Sequence, residues 1–221
     1  MKIQSLGILG LGSRSTLFYI KELNRLYHKK RAGYSTCPFT LLNTNFDVLN
    51  NLLPKPSNKL KVLLSNYLTE LSHLQVDAVL VPNITLHETI DKLSIMPKII
   101  HPVHLTIAKL KDKGFSEIIL FGSLHTMESD YLKWAFNNQN IAVSLPAVAE
   151  RVVIEDVRKH IYWETESKEL MQEYADIIKK YSSNNALVLA CTELSVAWTT
   201  IDSNIFDMSR IQIEAAVENI D

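Results

Sequence analysis

The chain has 221 residues, of which 47% are hydrophobic, and a formal net charge of −1 from 23 basic and 24 acidic side chains. A chain of this size can bury a large core without disulfides, as one large domain or as two lobes of about 100 residues. The balanced charge argues against nucleic acid or an anionic membrane as a partner. We interpret the short basic runs His28–Arg31 and Lys109–Lys113 as solvated helix ends.

Apolar runs typical of buried parallel strands alternate with amphipathic helical stretches. In chain order, the first half predicts a strand at Ile3–Leu9, a helix from Ser15 or Thr16 with an apolar stripe of Leu17, Ile20, Leu23 and Leu26, a strand at Phe39–Leu42, a helix at Lys59–Leu74 and a strand at Ala78–Val81. The second half predicts a helix ending at Leu110, strands at Glu117–Phe121, Ala142–Leu145 and Ala186–Leu189, and helices at Tyr131–Phe136 and Glu166–Tyr181. This alternation favours parallel sheets with helices on their faces.

The second half of the chain looks like a copy of the first. Gly10 and Gly122 each follow an apolar strand, and Asn83 and Cys191 each follow a later one, at nearly equal spacing. The matching order of these loops favours an internal duplication over the general likeness of any two α/β lobes. Because ligands of parallel α/β sheets bind beyond the carboxyl ends of the strands, four such loops become candidates for one binding cleft.

The loop Gly10–Thr16 (GLGSRST) follows the first strand and leads into a helix. It is similar to a degenerate dinucleotide-binding loop, which also requires an acid at the end of the second strand. That strand ends in Asn43–Asn45, and the first acid beyond it is Asp47. A generic anion-binding loop at a helix N-terminus is therefore the better interpretation. Arg14, in this loop, is either a carboxylate-binding fork or a plain surface arginine.

The two cysteines lie in different contexts. Cys37 has no polar company and is predicted to be a small buried hydrophobic residue. Cys191 ends an apolar strand, and a helix starting at Thr192 would favour its thiolate and lower its pKa from about 8.5 toward neutrality. It is either a reactive nucleophile or proton-transfer base, or a buried strand-end cysteine. His101 and His104 lack companions at ligand spacing, so no metal site is predicted.

The segment Ala190–Leu194 (ACTEL) resembles the second catalytic signature of the aspartate/glutamate racemase superfamily. The family's opening glycine loop is similar to Gly10–Thr16, and its Gly-Thr-x-x-Thr-Met loop resembles Gly122–Glu128 (GSLHTME). Its late Asp…Ile-His-x-x-Ala-Ala segment resembles Asp207–Ala216, with Gln212 at the position of the usual histidine. The resemblance covers nearly the whole chain and implies an α/β fold of two similar doubly wound parallel-sheet lobes related by pseudo-twofold symmetry.

The first signature of the family, Cys-Asn-Thr-x-His, falls on Asn83–His87 (NITLH), where Asn83 replaces the first catalytic cysteine. In the family, one cysteine thiolate removes the α-proton and a thiol on the opposite face returns one, without a cofactor. Asparagine can orient or stabilise charge but has no usable pKa for proton exchange. Arylmalonate decarboxylases of the superfamily also keep only the second cysteine, so one cysteine is compatible with activity.

The resemblance implies a PLP-independent isomerase, an amino-acid racemase of the aspartate/glutamate type, that uses no cofactor and no metal. The alternatives are a one-cysteine decarboxylase, lyase or isomerase of the superfamily, and a non-catalytic relative that binds small carboxylates. The predicted catalytic residues are Cys191, as the acid/base, and Asn83 facing it across the substrate. The predicted substrate-binding residues are Gly12, Ser13, Ile84, Thr85, Ser123, Thr126, Thr192 and Glu193.

The predicted domains are an N-terminal lobe, residues 1–98 with a returning C-terminal helix in 206–221, and a second lobe, residues 99–205. No signal-peptide pattern opens the chain, and no apolar run approaches a membrane span. We therefore expect a cytoplasmic protein with free thiols. Its expected partners are a small amino-acid or carboxylate substrate and a second copy of itself in a homodimer, with no nucleic acid and no membrane.

Overall fold

The computed structural model describes residues 2–94, 97–200 and 202–220. The chain divides into two compact units: unit 1 is Met1–His101 with Gln212–Asp221, and unit 2 is Pro102–Ile211. Each unit contains one four-stranded parallel sheet. The lobe boundaries that the sequence suggests, after residue 98 and before residue 206, stay a prediction.

The sheet of unit 1 has the strand order β2-β1-β3-β4. Its strands are β1 (Leu6–Gly10), β2 (Thr40–Asn43), β3 (Ala78–Leu80) and β4 (Lys98–Ile99). Its helices are α1 (Ser13–Arg31), α2 (Phe46–Asn50), α3 (Asn58–His73) and α4 (His87–Ile90). Helix α3 buries one leucine per turn against the sheet, because residues three or four apart share a helix face: Leu60, Leu64, Leu68 and Leu71.

The sheet of unit 2 has the order β6-β5-β7-β8, which repeats unit 1 strand for strand. Its strands are β5 (Glu117–Phe121), β6 (Ala142–Ser144), β7 (Ala186–Leu189) and β8 (Ile205–Asp207). Its helices are α5 (Pro102–Asp112), α6 (Leu124–Glu128), α7 (Asp130–Asn137), α8 (Val148–Trp163), α9 (Lys168–Ser182) and α10 (Thr192–Ala197), and α11 (Met208–Asn219) begins in unit 2 and ends in unit 1. The predicted α/β class with two similar parallel-sheet lobes is confirmed. No helix in the described part of the chain is long and apolar enough to cross a membrane.

Helix α1 buries a different face from the predicted apolar stripe. Leu17 is 60% exposed, and Leu23 is the stripe residue that is fully buried. The buried face is Ser15, Thr16, Tyr19, Glu22 and Leu23. Polar groups occupy this face because they find partners there: the Thr16 hydroxyl accepts a backbone N–H, and the Tyr19 hydroxyl donates to Gln212 at 2.5 Å.

Helix α8 has no counterpart among the elements predicted from the sequence. Its buried residues are Ile154, Glu155, Val157 and Ile161. A glutamate within the buried set interrupts the apolar period, and several β-branched residues weaken the helical signal further. The helix is fixed by its packing in unit 2 rather than by a clear pattern in the sequence.

The basic run His28–Arg31 is predicted from its composition to be a solvated helix end, but one of its lysines also forms hydrogen bonds within the protein. The Lys30 ammonium donates at 2.7 to 3.2 Å to three backbone carbonyls near the C-terminus, those of Val217, Glu218 and Ile220. Lys113 likewise donates to the carbonyl of Ser203 at 3.0 Å. These lysines satisfy carbonyl groups that a helix end or loop leaves without partners.

Gln212 cross-links three segments of unit 1. It is completely buried, its Oε1 accepts the Tyr19 hydroxyl, and its Nε2 donates to the Ile100 carbonyl at 2.5 Å. The carboxamide thus joins α1, α11 and the segment after β4. Both ends of a carboxamide are needed for this, because one partner is a donor and the other an acceptor.

We expect Gln212→Leu to lower the free energy of unfolding by about 1–3 kcal/mol, because it removes the buried hydrogen bonds of the carboxamide to the Tyr19 hydroxyl and to the Ile100 carbonyl. Urea unfolding followed by circular dichroism measures the change. Gln172→Leu, at an exposed position of α9, is the matched control and should have little effect. Equal stabilities of the two variants would show that the network contributes nothing.

Candidate active site

Cys191 is the N-cap residue of α10, two positions after the end of β7. Cys191 is partly exposed, and its thiol donates to the Glu193 Oε2 atom at 3.0 Å. Cys37, by contrast, is 6% exposed, and burial raises its pKa to about 11. The prediction that Cys37 is a small buried residue is confirmed.

The surroundings of Cys191 hold its thiol in the protonated form. Burial raises the pKa of Cys191 well above its usual value, and the charge and hydrogen bond of Glu193 raise it further. The Arg158 charge and a backbone hydrogen bond act in the opposite direction but do not overcome these effects. The expectation that the helix end lowers this pKa toward neutrality is therefore wrong. Helix α10 has only six residues, and burial together with the neighbouring Glu193 carboxylate disfavours the thiolate.

The residues next to Cys191 have partners within unit 2. Thr192 is 2% exposed, and its hydroxyl accepts from the buried Ser209 hydroxyl at 3.2 Å. Ser195 donates to the buried carboxylate of Asp207 at 2.8 Å. The first bond joins the start of α10 to the start of α11, and the second joins α10 to the end of β8. The Thr192 hydroxyl accepts in its bond with Ser209, so it keeps its own proton to donate.

The hydroxyl groups that follow β5 form hydrogen bonds to each other and to the backbone of the same segment. Ser123 is the N-cap of α6: its Oγ accepts the Thr126 backbone N–H at 3.1 Å and lies 2.8 Å from the Thr126 hydroxyl. A Cβ atom on Gly122 would lie 2.8 Å from the Thr126 methyl, so this position requires glycine. Thr126 thus lies inside a short helix, beyond the loop that the sequence predicts.

Two residues of α8 belong to this site and are absent from the predicted set. The Glu155 carboxylate accepts the Leu124 backbone N–H at 3.0 Å and pairs with the Nε and Nη2 atoms of Arg158. Arg158 in turn interacts electrostatically with Cys191 and Glu193. A Glu–Arg pair three residues apart is a recognisable helix signal, but it becomes informative only once a helix is assigned there.

The corresponding loops of unit 1 lie at the carboxyl ends of β1 and β3, which are paired neighbours. The β1 loop begins at Gly10, where a Cβ atom would lie 2.6 Å from the Asn43 Oδ1 atom and 3.1 Å from its Cα atom. Gly12 is the N-cap of α1 and offers no side-chain cap to it. Ser13, the next residue, is exposed. A helix of 19 residues therefore begins at the sheet edge that also carries the β3 loop, and its N-cap residue supplies no side-chain cap.

Asn83 has a structural role that a cysteine would not fill. Its Oδ1 accepts the Leu86 backbone N–H at 3.1 Å, and its carbonyl bonds to Nδ1 of His87 at 2.9 Å. Burial and the nearby His101 lower the pKa of His87 to about 3, so the ring stays neutral and Nδ1 is the donor. Ile84 is buried, and Thr85 is half-buried. Asn83 thus stabilises the turn that carries the predicted substrate-binding residues Ile84 and Thr85.

The structure gathers the predicted site residues into two groups, one in each unit. Gly12, Ser13, Asn83, Ile84 and Thr85 lie at one edge of the unit 1 sheet, and Ser123, Thr126, Cys191, Thr192 and Glu193 lie at the equivalent edge of the unit 2 sheet. That Asn83 faces Cys191 across a substrate stays a prediction. Within the described residues, no three His, Cys, Asp or Glu side chains are grouped to hold a metal ion.

Solved structures of bacterial and archaeal proteins share this fold. An aspartate racemase homologue from Pyrococcus horikoshii is 19% identical with a TM-score of 0.83, over 97% of this chain and 98% of that one. The aspartate racemase of Picrophilus torridus is 18% identical with a TM-score of 0.79, over 97% and 93%. Glutamate racemase RacE1 of Bacillus anthracis is 14% identical with a TM-score of 0.57, over 97% and 80%.

Each unit has a four-stranded parallel sheet with flanking helices, and this architecture is the α/β fold of the racemase structures above. The family model Asp/Glu/Hydantoin racemase matches residues 8–216. The chain belongs to the Asp/Glu/hydantoin racemase family, as its motifs predict. A search of the curated proteins finds no match.

We expect Glu193→Gln to accelerate alkylation of Cys191 near neutral pH. Removing the carboxylate removes a charge that raises the thiol pKa, so the thiolate fraction increases. A pKa lower by one gives about tenfold more thiolate, partly offset by weaker nucleophilicity, for a net gain of about threefold. Iodoacetamide labelling with peptide mapping measures this, with Cys37 as internal reference.

Glu173→Gln, which removes an exposed carboxylate from α9, is the control and should leave the rate unchanged. In the wild type, Cys191 should label faster than Cys37, because the Cys191 residue is partly exposed whereas Cys37 is buried. A slower reaction of Cys191 in Glu193→Gln would mean that Glu193 activates the thiol instead of suppressing its ionisation.

Proposed function

We propose that this protein is a cofactor-independent enzyme of the racemase type, which transfers a proton at the α-carbon of a small amino acid or related carboxylate. The observation that supports this most strongly is the Cys191 thiol at the end of β7, hydrogen-bonded to Glu193, in a chain of the Asp/Glu/hydantoin racemase family. An acidic amino acid is the proposed substrate. The solved relatives of the same fold include an aspartate and a glutamate racemase.

Cys191 is the proposed acid/base. Its thiol is protonated at neutral pH, because burial and Glu193 raise its pKa. It therefore either delivers a proton directly or first passes its own proton to the carboxylate 3.0 Å away. In the second case the resulting thiolate removes the α-proton, and the nearby Arg158 charge stabilises it. A positioned proton donor or acceptor of this kind contributes about 10²- to 10⁴-fold to a rate.

Asn83 is the proposed partner of Cys191 as an orienting group rather than a proton donor. Its Oδ1 is already used by the Leu86 N–H, while its NH2 group has no partner among the described residues. That NH2 group can donate to a carboxylate or to the enolate-like charge that develops when the α-proton leaves. It cannot return a proton, because a carboxamide does not titrate in water.

The substrate carboxylates are proposed to bind at the turns that begin helices. Ser123 and Thr126 present hydroxyls already ordered by mutual hydrogen bonds, and Thr192 and Glu193 present the backbone of the α10 turn. In unit 1, the loop at Gly12 and Ser13 opens a helix of 19 residues, whose first N–H groups favour an anion. Ile84 and Thr85 would line the site beside Asn83.

One specific observation favours a second function: residue 83 is an asparagine, whose side chain does not titrate. A site with a single acid/base at Cys191 suits a one-base reaction, such as decarboxylation followed by protonation on one face. It also suits deprotonation and reprotonation from the same side, which exchanges hydrogen without inverting the centre. The products distinguish this reaction from racemisation.

We expect the wild type to exchange the α-hydrogen of aspartate or glutamate in D2O, and Cys191→Ser to abolish the exchange. A serine hydroxyl keeps the approximate shape but is far too weak an acid to substitute for the thiol. Proton NMR follows the exchange, and chiral chromatography follows inversion. Cys37→Ser is the matched control and should retain the wild-type rate.

Exchange with inversion would identify a racemase, and exchange without inversion a one-base enzyme. Exchange that persists in Cys191→Ser would remove Cys191 from the proposed mechanism. If neither amino acid exchanges but both raise the melting temperature, the protein is a binding relative and the proposed activity is wrong.

We expect Asn83→Cys to raise racemisation, because it supplies a second group titrating near pH 8.5 at the equivalent loop of unit 1. The gain should reach about 10²-fold. The same change removes the cap on the Leu86 N–H and should cost about 1 kcal/mol of stability. Asn83→Ser keeps a capping hydroxyl without the thiol, and it should not raise the rate. A wild type that already racemises efficiently, and is slowed by Asn83→Cys, would contradict the one-base picture.

A further inference from the structure

We propose that Asp207 is a positioning residue of the candidate active site: its buried carboxylate anchors the short helix α10 and thereby holds the Cys191 thiol against the Glu193 carboxylate. The inference rests on the proposed function only in taking Cys191 as the reacting group. Asp207 lies in unit 2 together with α10, and it acts through the two residues that it binds, Ser195 and Arg210.

The contact between the thiol and Glu193 depends on the residue at which α10 begins. The Cys191 Sγ and Glu193 Oε2 atoms lie 3.0 Å apart, although side chains two residues apart within a helix do not face each other. The contact forms because Cys191 is the N-cap residue and has an extended backbone, with φ −155° and ψ 130°. If α10 began one residue earlier, Cys191 would take helical dihedral angles and the contact would be lost. The pair therefore requires a helix whose first turn is fixed.

Helix α10 is too short to fix its own first turn. It has six residues, whereas isolated helices shorter than about 12 residues are marginal in water because nucleation is costly. Its stability therefore depends on groups outside the helix. The junction between β8 and α11 supplies them, because β8 pairs in parallel with β7 and places Asp207 beside Leu189, two residues before Cys191.

The Asp207 carboxylate connects this junction to the middle and to the end of α10. Asp207 is 6% exposed. Its Oδ1 atom accepts the Ser195 hydroxyl at 2.8 Å and the Arg210 backbone N–H at 3.0 Å, and its Oδ2 atom lies 3.2 Å from the Arg210 Nε atom. The Arg210 Nη2 atom donates at 3.3 Å to the carbonyls of Ser195 and of Trp198, the C-cap residue of α10. The arginine thus supplies partners for carbonyls that the helix end leaves open.

Ser195 carries the effect of Asp207 back to the residue that bears the thiol. The Ser195 Oγ atom lies 3.3 Å from the Cys191 carbonyl oxygen, and the Ser195 backbone N–H donates to the same oxygen at 3.2 Å. A hydroxyl has one proton to donate, and Asp207 is the nearer acceptor. Asp207 thus keeps the hydroxyl from competing with the backbone N–H for this carbonyl. The buried Ser209 hydroxyl holds the same turn by donating to Thr192 at 3.2 Å.

Infrared spectroscopy of the S–H stretching band tests the proposal without any substrate. A Cys37→Ser background leaves Cys191 as the remaining thiol of the chain. The hydrogen bond from the thiol to Glu193 shifts its band to lower wavenumber, and Glu193→Ala gives the position of the band without that partner. We expect Asp207→Asn and Ser195→Ala to move the band from the position in the background protein to the position in Glu193→Ala.

The two variants disturb the anchor in different ways. Asp207→Asn removes the charge that holds Arg210, whereas Ser195→Ala removes one hydroxyl and leaves the Asp207–Arg210 ion pair in place. Ser195→Ala therefore provides the test if Asp207→Asn fails to fold by circular dichroism. Asn204→Ala is the matched control: it removes a hydrogen bond of 2.9 Å to the Ser182 carbonyl at the opposite end of β8. It should lower stability without moving the band.

The proposal is overturned if a folded Asp207→Asn variant keeps the band of the background protein or, where that variant does not fold, if Ser195→Ala keeps it. It is also overturned if Asn204→Ala moves the band as far as these variants do, because the shift would then follow from lost stability alone. Since the band depends on the resting thiol and not on turnover, a protein without racemase activity still gives a clear result.

Discussion

The site depends on one constraint, the parallel pairing of the first and third strands of each sheet. β1 pairs with β3, and β5 pairs with β7. In each unit, the two strands that lead into loops with predicted site residues therefore end side by side. Parallel strands present their carboxyl ends at the same edge, and loops far apart in sequence therefore meet there. Asn83 and the loop at Gly12 thus lie at one edge of the unit 1 sheet, and Cys191 and the loop at Ser123 lie at the equivalent edge of the unit 2 sheet. Without this pairing the motifs would be unrelated segments.

Around this frame, buried polar side chains connect elements that the sheets alone leave apart. Gln212 joins three segments of unit 1, and Glu155 joins α8 to α6 in unit 2. Each has its hydrogen-bonding groups occupied, which is the condition under which a polar group can be buried at little cost. The consequence differs between the two. Gln212 contributes to stability, whereas Glu155 pairs with Arg158, which interacts electrostatically with Cys191.

The electrostatics of the candidate site favour a thiol in its resting state. Burial and Glu193 raise the pKa of Cys191, and Arg158 only partly offsets them. A site that both removes and returns a proton benefits from a thiol that is protonated before the reaction. It also benefits from a nearby carboxylate that can accept the proton of that thiol. Asn83 caps its own turn in unit 1 and keeps an NH2 group that no described residue uses, so it can donate a hydrogen bond but adds no titrating group.

Much of this could be predicted from the sequence, because it depends on local pattern. The runs Glu117–Phe121 and Ala186–Leu189 are continuous and apolar, and they form strands with the predicted bounds. The family motifs identified the family as well as the loops after those strands. Three results required the tertiary structure. Helix α8 places a charged Glu155 on its buried face, α1 buries Tyr19 rather than Leu17, and the pKa of Cys191 is raised rather than lowered. All three follow from contacts between residues distant in sequence, since only the folded chain decides which polar groups find partners and which charges surround a thiol.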